Sequence, residues 1–128
     1  MIPYTAYKVV HYLGIFLLLA ALSAALARAA ARLGGGQEVR SDPWARRLVG
    51  VHGFAAFLVL LGGFGMLARL DVTTGLALPG WIWAKLGIWT LLAAAIVARR
   101  SEKLAAPATA LAPLLAALAG WVALYKPI

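Results

Sequence analysis

Four long apolar stretches, residues 4–27, 48–70, 81–98 and 104–125, occupy most of this 128-residue chain. A helix needs roughly 20 mainly apolar residues to cross the hydrocarbon core of a bilayer, and each stretch comes close to that. Inside lipid every backbone N–H and C=O must find its partner within the segment, which leaves the α-helix. Hydrophobic residues make up 64% of the chain and charged residues 12%, more apolar surface than a small soluble core can hide. The expectation is an all-α protein: an integral membrane four-helix bundle, up-and-down, with residues 1–128 as one domain. The first stretch ends in small residues as a secretory leader would. Its basic start is thin, so it reads as a span and not as a cleaved leader.

Charge distribution orients the bundle. Arg28, Arg32, Arg40, Arg46 and Arg47 fall between the first two spans, and Arg99, Arg100 and Lys103 between the last two. The other side carries only Lys8, Arg69, Lys85 and Lys126. The excess of Lys and Arg in cytoplasmic loops predicts that both basic connections lie inside and both termini outside. The chain is therefore expected to be a multi-pass protein of a bacterial-type inner (plasma) membrane. The basic residues are interrupted loop anchors without a folded platform, which argues against nucleic acid as a partner. The absence of cysteine excludes disulfides, iron–sulfur clusters and thiolate metal sites.

Local signals mark the ends of the helices. The glycine triplet Gly34, Gly35 and Gly36 should end the first. Ser41 or Asp42 can cap the second, with Pro43 at its first position. Pro79 should open the third, and Pro107 and Pro113 should bend the fourth. Ala20, Ala21, Ala24 and Ala25 in the first span, Ala112, Ala116, Ala119 and Ala123 in the last and the Gly-Gly-Phe-Gly run 62–65 of the second permit close helix approach. Such surfaces serve either internal packing or contact with a second copy or a larger membrane complex.

The polar residues can then be placed by height. Tyr4 and Tyr7 mark the outer edge of the first span and Trp81 that of the third. His11 and Lys85 each lie one turn deeper, about 6 Å at 1.5 Å per residue. The second span exits near Arg69 and Asp71, which puts Met66 about one turn below the same surface. His11, Met66 and Lys85 thus share one level. Trp81, Lys85 and Trp89 follow a four-residue repeat down one side of the third span, and Lys8 stands three residues before His11. Flat aromatics beside lysines suit a flat acidic ligand such as a porphyrin. The competing reading is that Trp and Tyr belong at interfaces and that Lys8 and Lys85 snorkel to water. His52 enters the second span near the inner side, on the order of 15 Å from His11 in depth, too far for the two to hold one iron. It reads as a hydrogen-bonding packing residue. Two histidines and four acids form no metal-ligand cluster, Ser23 has no base near it, and no glycine loop precedes a helix to cradle phosphate.

Three fragments then form a pattern. Lys8–Val9–Val10–His11, Arg46–Arg47–Leu48 and Gly80–Trp81–Ile82–Trp83–Ala84–Lys85–Leu86 resemble the HemJ-type protoporphyrinogen oxidases. The chain is also similar to the SirB-type and CopD-type small helical membrane proteins. The resemblance implies a haem site at His11 and an active role for Lys85, since the first-span histidine and third-span lysine carry haem and activity in that family. It departs from the family at the end of the first segment, which here lacks a further histidine. It departs again in the second span, where Val-His-Gly-Phe-Ala-Ala replaces a proline–alanine pair. The expected function is binding of b-type haem or porphyrin near the outer face. His11 would be the metal ligand, Met66 or Lys85 opposite or adjacent, and Lys8, Arg69 and Lys85 available to propionates, beside Trp81 and Trp89. The chemistry would be electron transfer or porphyrinogen oxidation, with membrane quinone as partner. The rival is a non-catalytic accessory subunit packing on a larger membrane complex. A CopD-like metal-uptake role has too few ligands.

Overall fold

The computed structural model describes residues 2–70 and 77–127. Four helices dominate it: α1 (Tyr4–Gly34), α2 (Pro43–Arg69), α3 (Gly80–Ala94) and α4 (Glu102–Tyr125). A tighter 3-10 segment, Ala95–Arg100, continues α3 to the turn before α4. All four are long and apolar enough to cross a membrane, taking α3 together with its 3-10 extension.

Their ends follow local chemistry. α1 stops where Gly35 closes onto the Ala31 carbonyl and Gly36 takes a φ of 74°, a conformation glycine adopts without steric cost. At 31 residues, α1 is about 46 Å long. That is longer than the roughly 30 Å hydrocarbon core of a bilayer, and Arg28 and Arg32 lie in its last two turns. Between the two capping candidates Asp42 is the one used, its carboxylate accepting the Trp44 N–H at 3.2 Å, with Pro43 at the first position. Pro79 precedes the first residue of α3, and both Pro107 and Pro113 lie inside α4.

Contacts fix the pairing. Along α1, Tyr7 meets Gly65, His11 meets Gly62, Gly14 meets Val59, and Arg28 meets Asp42. Residue numbers rise on one helix as they fall on the other, so α1 and α2 are antiparallel. His52 reaches Leu92 and Ala56 reaches Trp89, so α2 and α3 are antiparallel too. Ala29 clusters with Ala105 and Leu22 with Ala112, which sets α4 antiparallel to α1. The result is an up-down-up-down bundle.

The core is concentrated in the middle of the bundle and toward its arginine-rich end. Leu18, Leu22 and Leu26 of α1 fill the space left by Ala55, Ala56 and Ala112, with Ile88 and Leu92 from α3. A second cluster of Ala29, Val39, Ala45 and Ala105 continues it to the arginine-rich end. In lipid the gain comes from close fit, since helix surfaces leave hydrocarbon for hydrocarbon. Of the first-span alanines, Ala21 and Ala25 are buried, whereas Ala20 and Ala24 are exposed. Trp44 is exposed at the arginine end and Trp83, Trp121 and Tyr125 at the other, as suits aromatic rings at two interfaces.

Candidate functional site

Glycine builds the site. A Cβ on Gly62 would lie 2.5 Å from the His11 nitrogen and 2.7 Å from its Cα and Cβ. Only a residue without a side chain lets α2 come this close to the α1 backbone. Gly14 serves the same seam from the other side, where a Cβ would meet the Val59 nitrogen at 2.8 Å. This contact brings the His11 ring against α2, and its Nδ1 donates to the Val59 carbonyl at 2.7 Å. A carbonyl only accepts, so in the neutral ring Nδ1 holds the proton and Nε2 keeps a free lone pair. Among the described residues no buried side-chain nitrogen or oxygen lacks a partner. Nε2 makes no hydrogen bond and is therefore the accessible edge of a residue only 8% exposed.

His11 lines a half-open cavity of about 560 Å³ bounded by residues of all four helices in the half of the bundle opposite the arginines. The volume lies within the roughly 300–1,000 Å³ common for small-molecule and cofactor sites. Lys8, His11, Met66, Trp81, Lys85 and Trp89 all line it. Arg69 does not line it. The bond from Trp89 to Ala56 sets Lys85 near the level of Leu60, within one turn of the His11–Gly62 contact. Met66 is one turn farther out, about 6 Å, and its Cα–Cβ bond tilts back toward the start of α2 and hence toward the level of His11.

Two expected contacts are more specific than sequence could indicate. Trp89 lines the cavity with its ring, but its Nε1–H donates to the Ala56 carbonyl at 3.1 Å and is spent on holding α3 to α2. Lys85 Nζ lies 5.9 Å from the Trp81 ring centroid, a cation–π distance, and Lys8 Nζ stands 5.9 Å from that of Tyr12.

One charged lining residue lies outside the expectation from sequence. Lys126, the residue that ends α4, also lines the cavity, with Nζ 5.2 Å from the Trp81 ring centroid. A signal for it is present in the chain: a lysine followed by Pro127, which forbids further helix, at the same interface as Trp81.

His52 stands apart. It is 3% exposed, ten residues before Gly62 on the side of the arginines, and its Nε2 donates to the Leu92 carbonyl at 3.2 Å. It packs α2 on α3 and does not line the cavity.

At the arginine end, Arg28 grips both oxygens of Asp42, with Nη2 to Oδ1 at 3.0 Å, and Arg32 Nε stands 3.9 Å from Oδ2. Asp42 is 1% exposed. The Arg28 hydrogen bonds hold its carboxyl below the usual carboxylate range against the opposing effect of burial, assisted by the Trp44 N–H and Arg32. This clamp joins the end of α1 to the start of α2.

The cavity therefore offers one neutral nitrogen donor, one thioether, three ammonium groups and flat aromatic walls. Among the described residues no group of three or more His, Cys, Asp or Glu side chains could hold a bare metal ion. No protein-family model, curated protein or solved structure matches the chain.

Proposed function

We propose that this chain is a membrane protein with both termini outside that binds b-type haem or a related porphyrin in the outer cavity, similar to the HemJ-type proteins it resembles. The single observation that carries the reading is His11. Metal-bound histidines nearly always donate their second ring N–H to a carbonyl or carboxylate, which fixes the tautomer and orients the free nitrogen. His11 has the first half of that arrangement, with Nδ1 on Val59, Nε2 free of hydrogen bonds and the residue lining the cavity. A metal held by one imidazole, or by one imidazole and one thioether, must arrive with its other ligands already in place. A porphyrin supplies four nitrogens, and His with Met is an established axial set. The donors lining the cavity fit that group and do not fit a bare ion.

His11 would bind the iron, with Met66 the candidate for the opposite position. Lys8 and Lys85 would face the acidic groups, and Trp81 and Trp89 would flank the macrocycle. When bound, haem supplies one-electron chemistry, with membrane quinone the partner the setting favours. Lys85, in cavity contact and beside Trp81, is the residue proposed to act on a substrate's protons.

Purified protein from haem-replete cells is expected to show a Soret band. His11→Ala should abolish or grossly alter it, Met66→Ala should shift spectrum or potential, and His52→Ala should leave it in place. A colourless protein that co-purifies with a larger membrane complex would instead support the accessory-subunit role.

A further inference from the structure

Three lysines reach the outer part of the cavity, and the described residues offer them no carboxylate. Of the four acidic side chains, Glu38, Asp42 and Glu102 lie at the arginine end, while Asp71, like the last residue Ile128, falls outside the described residues. Both ion pairs among the described residues are on Asp42. The two lysines Lys85 and Lys126 converge on one aromatic ring, with Nζ at 5.9 and 5.2 Å from the centroid of Trp81. Like charges gathered about one ring repel, and here Lys85 is half-buried while Lys126 is exposed. Lys126 also holds a φ of 47° and ψ of 55°, the left-handed region that a residue with a side chain enters at a cost. Glycine usually occupies this helix-ending position. The ring of Trp81 thus carries two cations from two different helices, one of them on a backbone that would prefer glycine.

We infer that Lys85 and Lys126, arrayed about Trp81, form a carboxylate grip at the mouth of the cavity, so that its ligand is an apolar body bearing at least one carboxylate. Below the grip the walls are hydrocarbon: Ile15, Leu19, Ala116, Ala119 and Leu86 line the same space. An acid head against the ammonium groups with an apolar body beneath satisfies both halves at once. The inference takes the ligand cavity of the proposed function as its premise but needs no iron. The acid can come from a porphyrin's propionates or from a long-chain fatty acid, and the two sources separate experimentally.

The test uses the full chain in nanodiscs and iron-free probes. Protoporphyrin IX and its dimethyl ester are titrated by porphyrin fluorescence, parinaric acid and its methyl ester by theirs. One acid should bind at least about tenfold more tightly than its own ester, the loss of roughly one charge-assisted contact. Lys126→Gly, which keeps a residue suited to φ 47°, should fold normally by circular dichroism and lose most of that preference. Lys85→Met should do the same, Lys126→Arg should retain it, and Lys103→Met at the opposite end should leave it intact. Equal affinity for acid and ester, binding of neither acid, or a preference that survives the Lys85→Met, Lys126→Gly double variant would overturn the grip. Preference for the free porphyrin alone upholds both the grip and the porphyrin reading. Preference for the fatty acid alone, in a protein without a haem spectrum, upholds the grip and removes the haem.

Discussion

Gly62 is the most exposed to test of all the contacts that position His11. Replacing it with alanine adds one methyl group at 2.5 Å from the His11 nitrogen. Ordinary carbon contacts begin near 3.4 Å, so α1 and α2 must part by about 1 Å, and no rotamer change can relieve it because the obstructing atoms are backbone. Overpacking of this kind costs about 1–3 kcal/mol. A gap of 0.5–1 Å also forfeits roughly a quarter to a half of each dispersion contact along the seam. The change from glycine to alanine inside a helix returns about 0.5–1 kcal/mol. The net expectation is a loss of about 1–2 kcal/mol for Gly62→Ala. A Cβ added at Gly50 or Gly87 would meet nothing within 4 Å, so Gly50→Ala and Gly87→Ala should be neutral or gain up to about 1 kcal/mol. Unfolding in detergent, followed by circular dichroism against added SDS, reads the difference directly. Gly63→Ala is the graded case, since its Cβ would stand 3.4 Å from His11 Cε1, so it should fold while pressing on the ring. If Gly62→Ala unfolds at the same SDS fraction as Gly50→Ala, the helices do not meet at His11 and the geometry proposed for its ring is wrong.

Three further outcomes follow from other contacts. Asp42 has its folded-state pKa lowered, so its contribution is present above the ordinary aspartate pKa of about 3.9 and is lost as pH falls through that range toward the folded value. Asp42→Asn, which keeps an acceptor for Trp44, should flatten the acid limb of a stability–pH profile, and an unchanged limb would show that the Arg28 clamp contributes nothing. Trp89→Phe removes the 3.1 Å bond to Ala56 and should cost about 0.5–1.5 kcal/mol in the same SDS titration, as should loss of the His52 bond to Leu92. Reporter fusions after Ile128 should be active only outside the cytoplasm, and activity inside would reverse the orientation.

What can be read from sequence divides along height and azimuth. Height is legible to within about one turn because the helical rise is rigid and the aromatic edges at Tyr4, Tyr7 and Trp81 act as rulers, though Met66, expected level with His11, lies a turn beyond it. Helix identity is legible for a harder reason, since continuous apolar runs of about 20 residues suit a spanning helix, whereas a barrel strand needs about 10 alternating ones. Azimuth is not. Arg69 lies three residues beyond Met66, close in height, yet only Met66 lines the cavity, because which side of α2 faces inward depends on the glycine seam with α1. The Gly-Gly-Phe-Gly run signals a close approach but not its partner. That partner is His11, and the approach is what brings Nδ1 to the Val59 carbonyl and leaves Nε2 without a hydrogen bond. Arg28 reads as a loop anchor because its acid stands 14 positions later, beyond the glycine turn that folds α2 back beside it. Trp89 reads as a wall because an indole has both a face and a donor, and only packing decides where the donor goes. In each case a residue's chemistry is visible in the chain, while the surface it meets is set by a neighbouring helix whose rotation no local pattern encodes.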